Sequence, residues 1–84
     1  MLLGHIDEVS AHVARILREE RVKRGLSMTT LAERAGLSQA MISFVEREMR
    51  NPSLDTLLRI ACVLEIDLGS VIQRADKAAQ KKSK

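Results

Sequence analysis

The stretch from Ser27 to Ser53 constrains this chain more than any other. Two short apolar sets, Leu31, Ala32 and Ala35, then Ile42 and Val45, flank Gly36. Spacings of three and four predict two helices, each with one inward face. Ser27 and Ser38 stand where each helix needs an N-cap to accept a free backbone N–H. Gly36 between them supplies the left-handed backbone that a sharp turn requires, and Leu37 plugs the corner. The region therefore reads as two short helices joined by a tight turn.

The flanks extend this to five helices. Val9, Val13, Ile16 and Leu17, with Val22 later, mark a first helix over 7–24 with one buried stripe. Asp7, Glu8 and Ser10 offer acidic residues or caps near its start; Arg21, Lys23 and Arg24 suit its C-terminal dipole, and Gly25 supplies the stop. Met49 to Ser53 reads as a loop, because Asn51 precedes Pro52 and is pushed out of the helical region. Ser53 or Asp55 opens a fourth helix with Leu54, Leu57, Leu58, Ala61 and Leu64 inward. Asp67 caps a fifth containing Leu68, Val71 and Ile72. The lysine-rich segment 75–84 extends that helix or frays. No strand-like alternation, internal repeat or second domain is visible.

With 84 residues the chain forms one domain at most, with a modest core that dimerisation would supplement. The net charge of +3 is carried by the end of the chain: up to Arg74, ten positive charges face ten negative ones. Net charge alone does not identify a nucleic-acid binder. Cys62, the one cysteine, lies in the apolar run 60–64 and is expected to be a buried thiol; a lone cysteine fits a reducing compartment. The N-terminus lacks a basic region and a long apolar run, so no signal peptide is expected. No apolar run approaches the roughly 18 residues needed to cross a membrane. A cytoplasmic location follows as the expectation.

Gly25-Leu26-Ser27, Leu31-Ala32-Glu33-Arg34-Ala35-Gly36-Leu37-Ser38, Ile42-Ser43, Val45-Glu46-Arg47 and Arg50-Asn51-Pro52-Ser53-Leu54-Asp55-Thr56-Leu57 together form a helix-turn-helix pattern. Over about residues 10–73 the chain resembles the lambda-repressor/Cro-like (XRE) family of DNA-binding transcriptional regulators. The resemblance implies an all-α, compact five-helix domain over 1–74, with the helix-turn-helix at about 27–47 and a polar tail over 75–84. Double-stranded DNA is the implied partner.

The resemblance also implies roles. The helix from Ser38 or Gln39 to about Arg47 would enter the major groove with Gln39, Ala40, Ser43 and Phe44 outward. Gln39 both donates and accepts, as adenine requires; Ser43 suits either kind of base edge; Ala40 and Phe44 offer apolar contact to a thymine methyl. A/T-containing half-sites are expected. Phosphate contacts are expected from Met28, Thr29 and Thr30 at the start of the second helix, from Arg50 and Asn51 in the loop, and from Ser38 and Arg47. Two positions depart from the family. Met28 replaces a glutamine that often braces the recognition helix, which leaves backbone donors to serve there. Glu48 replaces a glycine and brings a negative charge near the phosphates. Arg21 and Glu46 match a pair that bridges the first and third helices, with a role in orientation more than in stability.

A symmetric homodimer on an inverted repeat is implied, with Ile66, Leu68, Val71 and Ile72 at the interface. Leu2, Leu3, Ile6 and Val9 form an apolar surplus that joins an interface or caps the core. No cofactor and no small-molecule ligand are expected; control through protein concentration is the alternative to ligand sensing. None of Ser27, Ser38, Ser43 and Cys62 has a histidine placed to activate it, so an enzyme is not expected. His5 and His12 lack further ligands for a metal site. Two other classes remain open. One is a protein-interaction module, such as an antitoxin-type partner, using Met41, Phe44 and Met49. The other is a nonspecific architectural DNA binder, marked by a steep salt dependence.

Overall fold

The computed structural model describes residues 3–47 and 51–82. These form five helices: α1 (Leu3–Lys23), α2 (Met28–Ala35), α3 (Gln39–Glu46), α4 (Leu54–Leu64) and α5 (Leu68–Lys82). No strand occurs among the described residues.

Serines and an aspartate start four of the helices. Ser27 accepts from the Thr30 N–H at 3.0 Å, Ser38 from Met41 and Ser53 from Thr56 at 3.1 Å each. Asp67 accepts from the Ser70 N–H at 2.9 Å and settles the start of α5. Left-handed residues stop α2 and α4. Gly36 ends α2 at φ 71°, and Glu65 ends α4 at φ 57°. Glu65 bears the cost of a side chain in that region. Its N–H bonds to Cys62 and the following Ile66 N–H bonds to Ala61, both at 3.1 Å. These two bonds satisfy carbonyls that the helix end would otherwise leave open.

Every helix contributes to one core. Leu17 of α1, Leu31 of α2, Ile42 of α3, Ile60 and Leu64 of α4 and Val71 of α5 are at most 2% exposed. Fully burying side chains of this size stabilises the fold by about 1.5–3 kcal/mol each.

Four expectations change. First, α1 begins at Leu3, so Asp7, Glu8 and Ser10 lie within the helix rather than at its cap. Val22 near its end is 58% exposed. Second, the inward face of α4 holds at Ala61, Leu64 and the half-buried Leu57 but is narrower than expected. Its buried set is Thr56, Ile60, Ala61 and Leu64, so Leu54 and Leu58, each two residues from an inward position, emerge 65% and 50% exposed. Two residues are more than half a helical turn. The same offset turns Cys62 outward, and its thiol is exposed rather than buried.

Third, of the two readings of 75–84 the helical extension holds through Lys82, and these residues are part of the fold rather than a polar tail. Ala75 and Ala79 are fully buried where α5 packs along α1. Their small side chains admit close approach of the two helices. Polar contacts line the same seam: His5 Nε2 lies 2.7 Å from Asp76 Oδ1, and Arg74 Nη1 lies 3.7 Å from Glu20 Oε2. Fourth, Leu68 and Val71 are 6% and 1% exposed in the single chain. They belong to its own core and are withdrawn from any surface that a second copy could meet. Ile72, 42% exposed, and half-buried Ile66 remain near that surface. Leu3 and Ile6 of the apolar surplus are exposed, Val9 packs on the core, and Leu2 lies outside the described residues.

Candidate nucleic-acid interface

The two short helices present their first turns side by side. Gln39 Nε2, at the start of α3, lies 4.0 Å from Met28 Sδ, at the start of α2. Serine caps take the third N–H of each helix, and the cap carbonyls take the fourth. The first two, those of Met28 and Thr29 in α2 and of Gln39 and Ala40 in α3, have no intrahelical acceptor. Two positive dipole ends with open donors therefore sit together, an arrangement suited to anionic oxygen.

Thr30 is largely committed to its own cap. Its N–H goes to Ser27, and its hydroxyl oxygen accepts from the Ser27 hydroxyl at 3.0 Å. Ser38 likewise spends an oxygen lone pair on Met41. For both, a hydroxyl proton is what remains for an outside acceptor. Thr29 is exposed with both of its donors open.

Met28 differs from expectation. It packs partly against the core and its thioether accepts weakly from Gln39. Met28 thus contacts Gln39 although it lacks the amide that the family often carries there. Sulfur is a weak acceptor, so the Gln39 amide is steered while its carbonyl oxygen and second N–H stay available.

On α3, Ile42 and Val45 are buried and Met41 packs against the core. Gln39, Ala40, Ser43 and Phe44 lie on the remaining face, one turn apart in pairs. Gln39 and Ala40 are exposed; Ser43 and Phe44 are half-buried. Arg47, the C-cap of α3, is exposed and has no ion-pair partner among the described residues. Asn51, four residues on, is exposed, while Glu48, Met49 and Arg50 lie outside the described residues. Of the Met41, Phe44 and Met49 set, Met41 packs against the core and Met49 lies outside the described residues.

The orientation of α3 is held by a buried ion pair. Arg21 of α1 donates from Nε to Glu46 Oε2 at 2.7 Å and from Nη2 to Oε1 at 3.0 Å. Its Nη1 donates to the Leu26 carbonyl at 2.7 Å. The two side chains are 11% and 4% exposed. One guanidinium thus ties together the end of α1, the loop before α2 and the end of α3. A bidentate pair fixes geometry as well as distance.

A second arginine, which the sequence did not single out, holds the turn itself. Arg59 of α4 donates from Nη1 to the Ala35 carbonyl at 3.3 Å and from Nε to Asp55 Oδ2 at 2.8 Å. The Asp55–Arg59 spacing of four is readable along the chain. The contact with Ala35 spans 24 residues and has no local signal. No helix is long and apolar enough to cross a membrane, and no cluster of three or more metal-ligating side chains occurs, among the described residues.

With this geometry in place, comparisons with known proteins are informative. The helix-turn-helix family model matches residues 17–71. The chain is similar to the HTH-type transcriptional regulator SinR of Bacillus licheniformis, 29% identical over 62 residues, covering 73% of this chain and 56% of that protein. It is also similar to the HTH-type transcriptional regulator SutR of Escherichia coli K12, 30% identical over 73 residues, covering 87% of this chain and 41% of that protein. The chain thus spans about half the length of these curated relatives. Among solved structures, SinR in complex with DNA superposes with a TM-score of 0.67 at 28% identity, covering 71% of this chain and 97% of that one. The helix order, the glycine turn and the matched span agree: this chain belongs to the XRE-type helix-turn-helix family.

Proposed function

We propose that this chain is a sequence-specific DNA-binding transcriptional regulator that works as a homodimer on an inverted repeat. The observation that carries the reading is the pairing of two open helix N-termini beside the outward face of α3. Phosphates on either side of the groove take the Met28 and Thr29 N–H groups, the Ser38 hydroxyl, Arg47, Arg50 and Asn51. Thr30 contributes its hydroxyl. Gln39, Ala40, Ser43 and Phe44 meet base edges, which favours A/T-containing half-sites. The likeness of fold to SinR, solved in complex with DNA, supports DNA as the partner.

One such module covers only a few base pairs, so two copies are needed, with recognition helices about 34 Å apart. Ile72 and Ile66 supply the apolar contact between them. Ile72 also borders an apolar groove with Ile6, Val9, Val13 and Leu57. A DNA-bound regulator of this kind works in the cytoplasm.

Selection of bound duplexes from a random pool at near-physiological salt tests the reading. Enrichment of an inverted repeat with A/T-containing half-sites is the expected result. Binding without enrichment, lost steeply as salt rises, would replace it with nonspecific architectural binding. No binding at any salt would move the search to protein partners.

A further inference from the structure

We propose that Arg59 is a positioning residue for DNA recognition, acting as a clamp on the turn from outside the helix-turn-helix; this rests on the DNA-binding reading above. The turn's own backbone donors go elsewhere. The Gly36 N–H reaches the Ala32 and Glu33 carbonyls, and the Leu37 N–H reaches Ala32 at 2.9 Å. The Ala35 carbonyl receives the Arg59 guanidinium instead. A cation there also faces the negative end of the α2 dipole.

The guanidinium lies directly on the turn. A Cβ built at Gly36 would come within 3.2 Å of Arg59 Nη1. Gly36 is favoured by its φ of 71°, and any side chain there would also push the guanidinium back by a few tenths of an ångström. On the inner side Leu37 packs against the core. The turn is gripped between Leu37 and Arg59, and only two residues separate Ala35 from the α3 cap Ser38. Whatever holds the Ala35 peptide thus sets the direction in which α3 leaves. Asp55 holds the arginine from one turn earlier on α4, so the grip comes from a helix that makes no proposed DNA contact.

The test uses Arg59→Met, which keeps the apolar stem, Arg59→Lys, which keeps the charge, and Arg74→Met as a control. Arg74 is similarly exposed and bridges α1 and α5 far from the turn. Amide exchange is measured by NMR on the free proteins, and affinity for the selected duplex is measured across salt. In Arg59→Met, exchange at Gly36, Leu37 and Met41 is expected to rise about tenfold with α5 amides unchanged. Affinity is expected to fall on the order of five- to tenfold at unchanged salt slope. Arg59→Lys is expected to recover part of both, and Arg74→Met to change neither.

Unchanged exchange at the turn would overturn the clamp whatever the DNA result. Faster exchange with unaltered affinity would overturn the positioning role. A salt slope reduced by about one would make Arg59 a phosphate ligand instead. If the wild-type chain bound no duplex, the DNA reading would fail, and the exchange measurement would still decide whether the clamp exists.

Discussion

The α2–α3 pair and the α1–α5 pair achieve rigidity by opposite means. The first consists of two eight-residue helices. Each is started by a serine three residues from the N–H that it caps, and a glycine turn joins them. The second joins a 21-residue helix to a 15-residue one through contacts far apart in sequence. His5 meets Asp76 across 71 positions, and Ala75 and Ala79 are buried against a helix at the other end of the chain. Local capping draws on groups at the helix starts and leaves Gln39 and Ala40 exposed at the outer edge of α3. Non-local packing spends its surface on the protein itself and gives the small motif a platform.

The largest expected effect lies where the two regions are tied. Glu46→Ala leaves the nearly buried Arg21 without its carboxylate, and is expected to cost about 3 kcal/mol. Denaturant titration reads this as a lower midpoint, and a loss under 1 kcal/mol would mean that the pair is dispensable for holding α3. Next comes the α1–α5 seam. Ala75→Leu forces a larger side chain into a fully buried site and is expected to cost about 1–3 kcal/mol. An unchanged melting temperature would show that the second half of α5 does not belong to the platform.

Ser38→Ala removes the α3 cap and is expected to cost about 1 kcal/mol. Should the same change at Ser53, the cap of α4, cost several times more, stability in the motif would not be as local as the comparison holds. The smallest effect concerns pH. The hydrogen bond from Arg24 holds the Glu20 carboxyl below its ordinary value, with the charges of Arg24, Lys23 and Arg74 acting the same way against burial. A depressed folded value stabilises the fold above the ordinary carboxylate range, and that contribution is lost as pH falls through the folded value. Glu20→Gln is therefore expected to be a few tenths of a kcal/mol less stable at neutral pH, a typical size for an i,i+4 pair at the protein surface. The difference should vanish in acid; a gap that persisted there would assign the effect to packing.

Which parts were legible along the chain follows the same division. Ser27, Gly36, Ser38, Ser53 and Asp67 act on atoms within a few residues, so their identities suffice to place the helix boundaries that they control. Cys62, Leu54 and Leu58 were misplaced because α4 carries apolar residues around more than one face. Its inward face is chosen by what α1, α2 and α5 present, and no count along α4 contains that. Leu68 and Val71 were assigned to a dimer surface for a related reason: an apolar residue near the end of a small domain suits a partner copy or its own core equally well.

The sequence by itself determined five helices, the turn at Gly36, the open donors at the starts of α2 and α3, and the polar edge of α3. Each depends on backbone geometry and hydrogen bonds that close within a turn or two of helix. Only the tertiary structure decided that residues 75–82 complete the fold, that Cys62 faces outward, and that Arg59 sits on the turn. Those outcomes depend on which surfaces meet when long-range packing is satisfied, and that is a property of all five helices together.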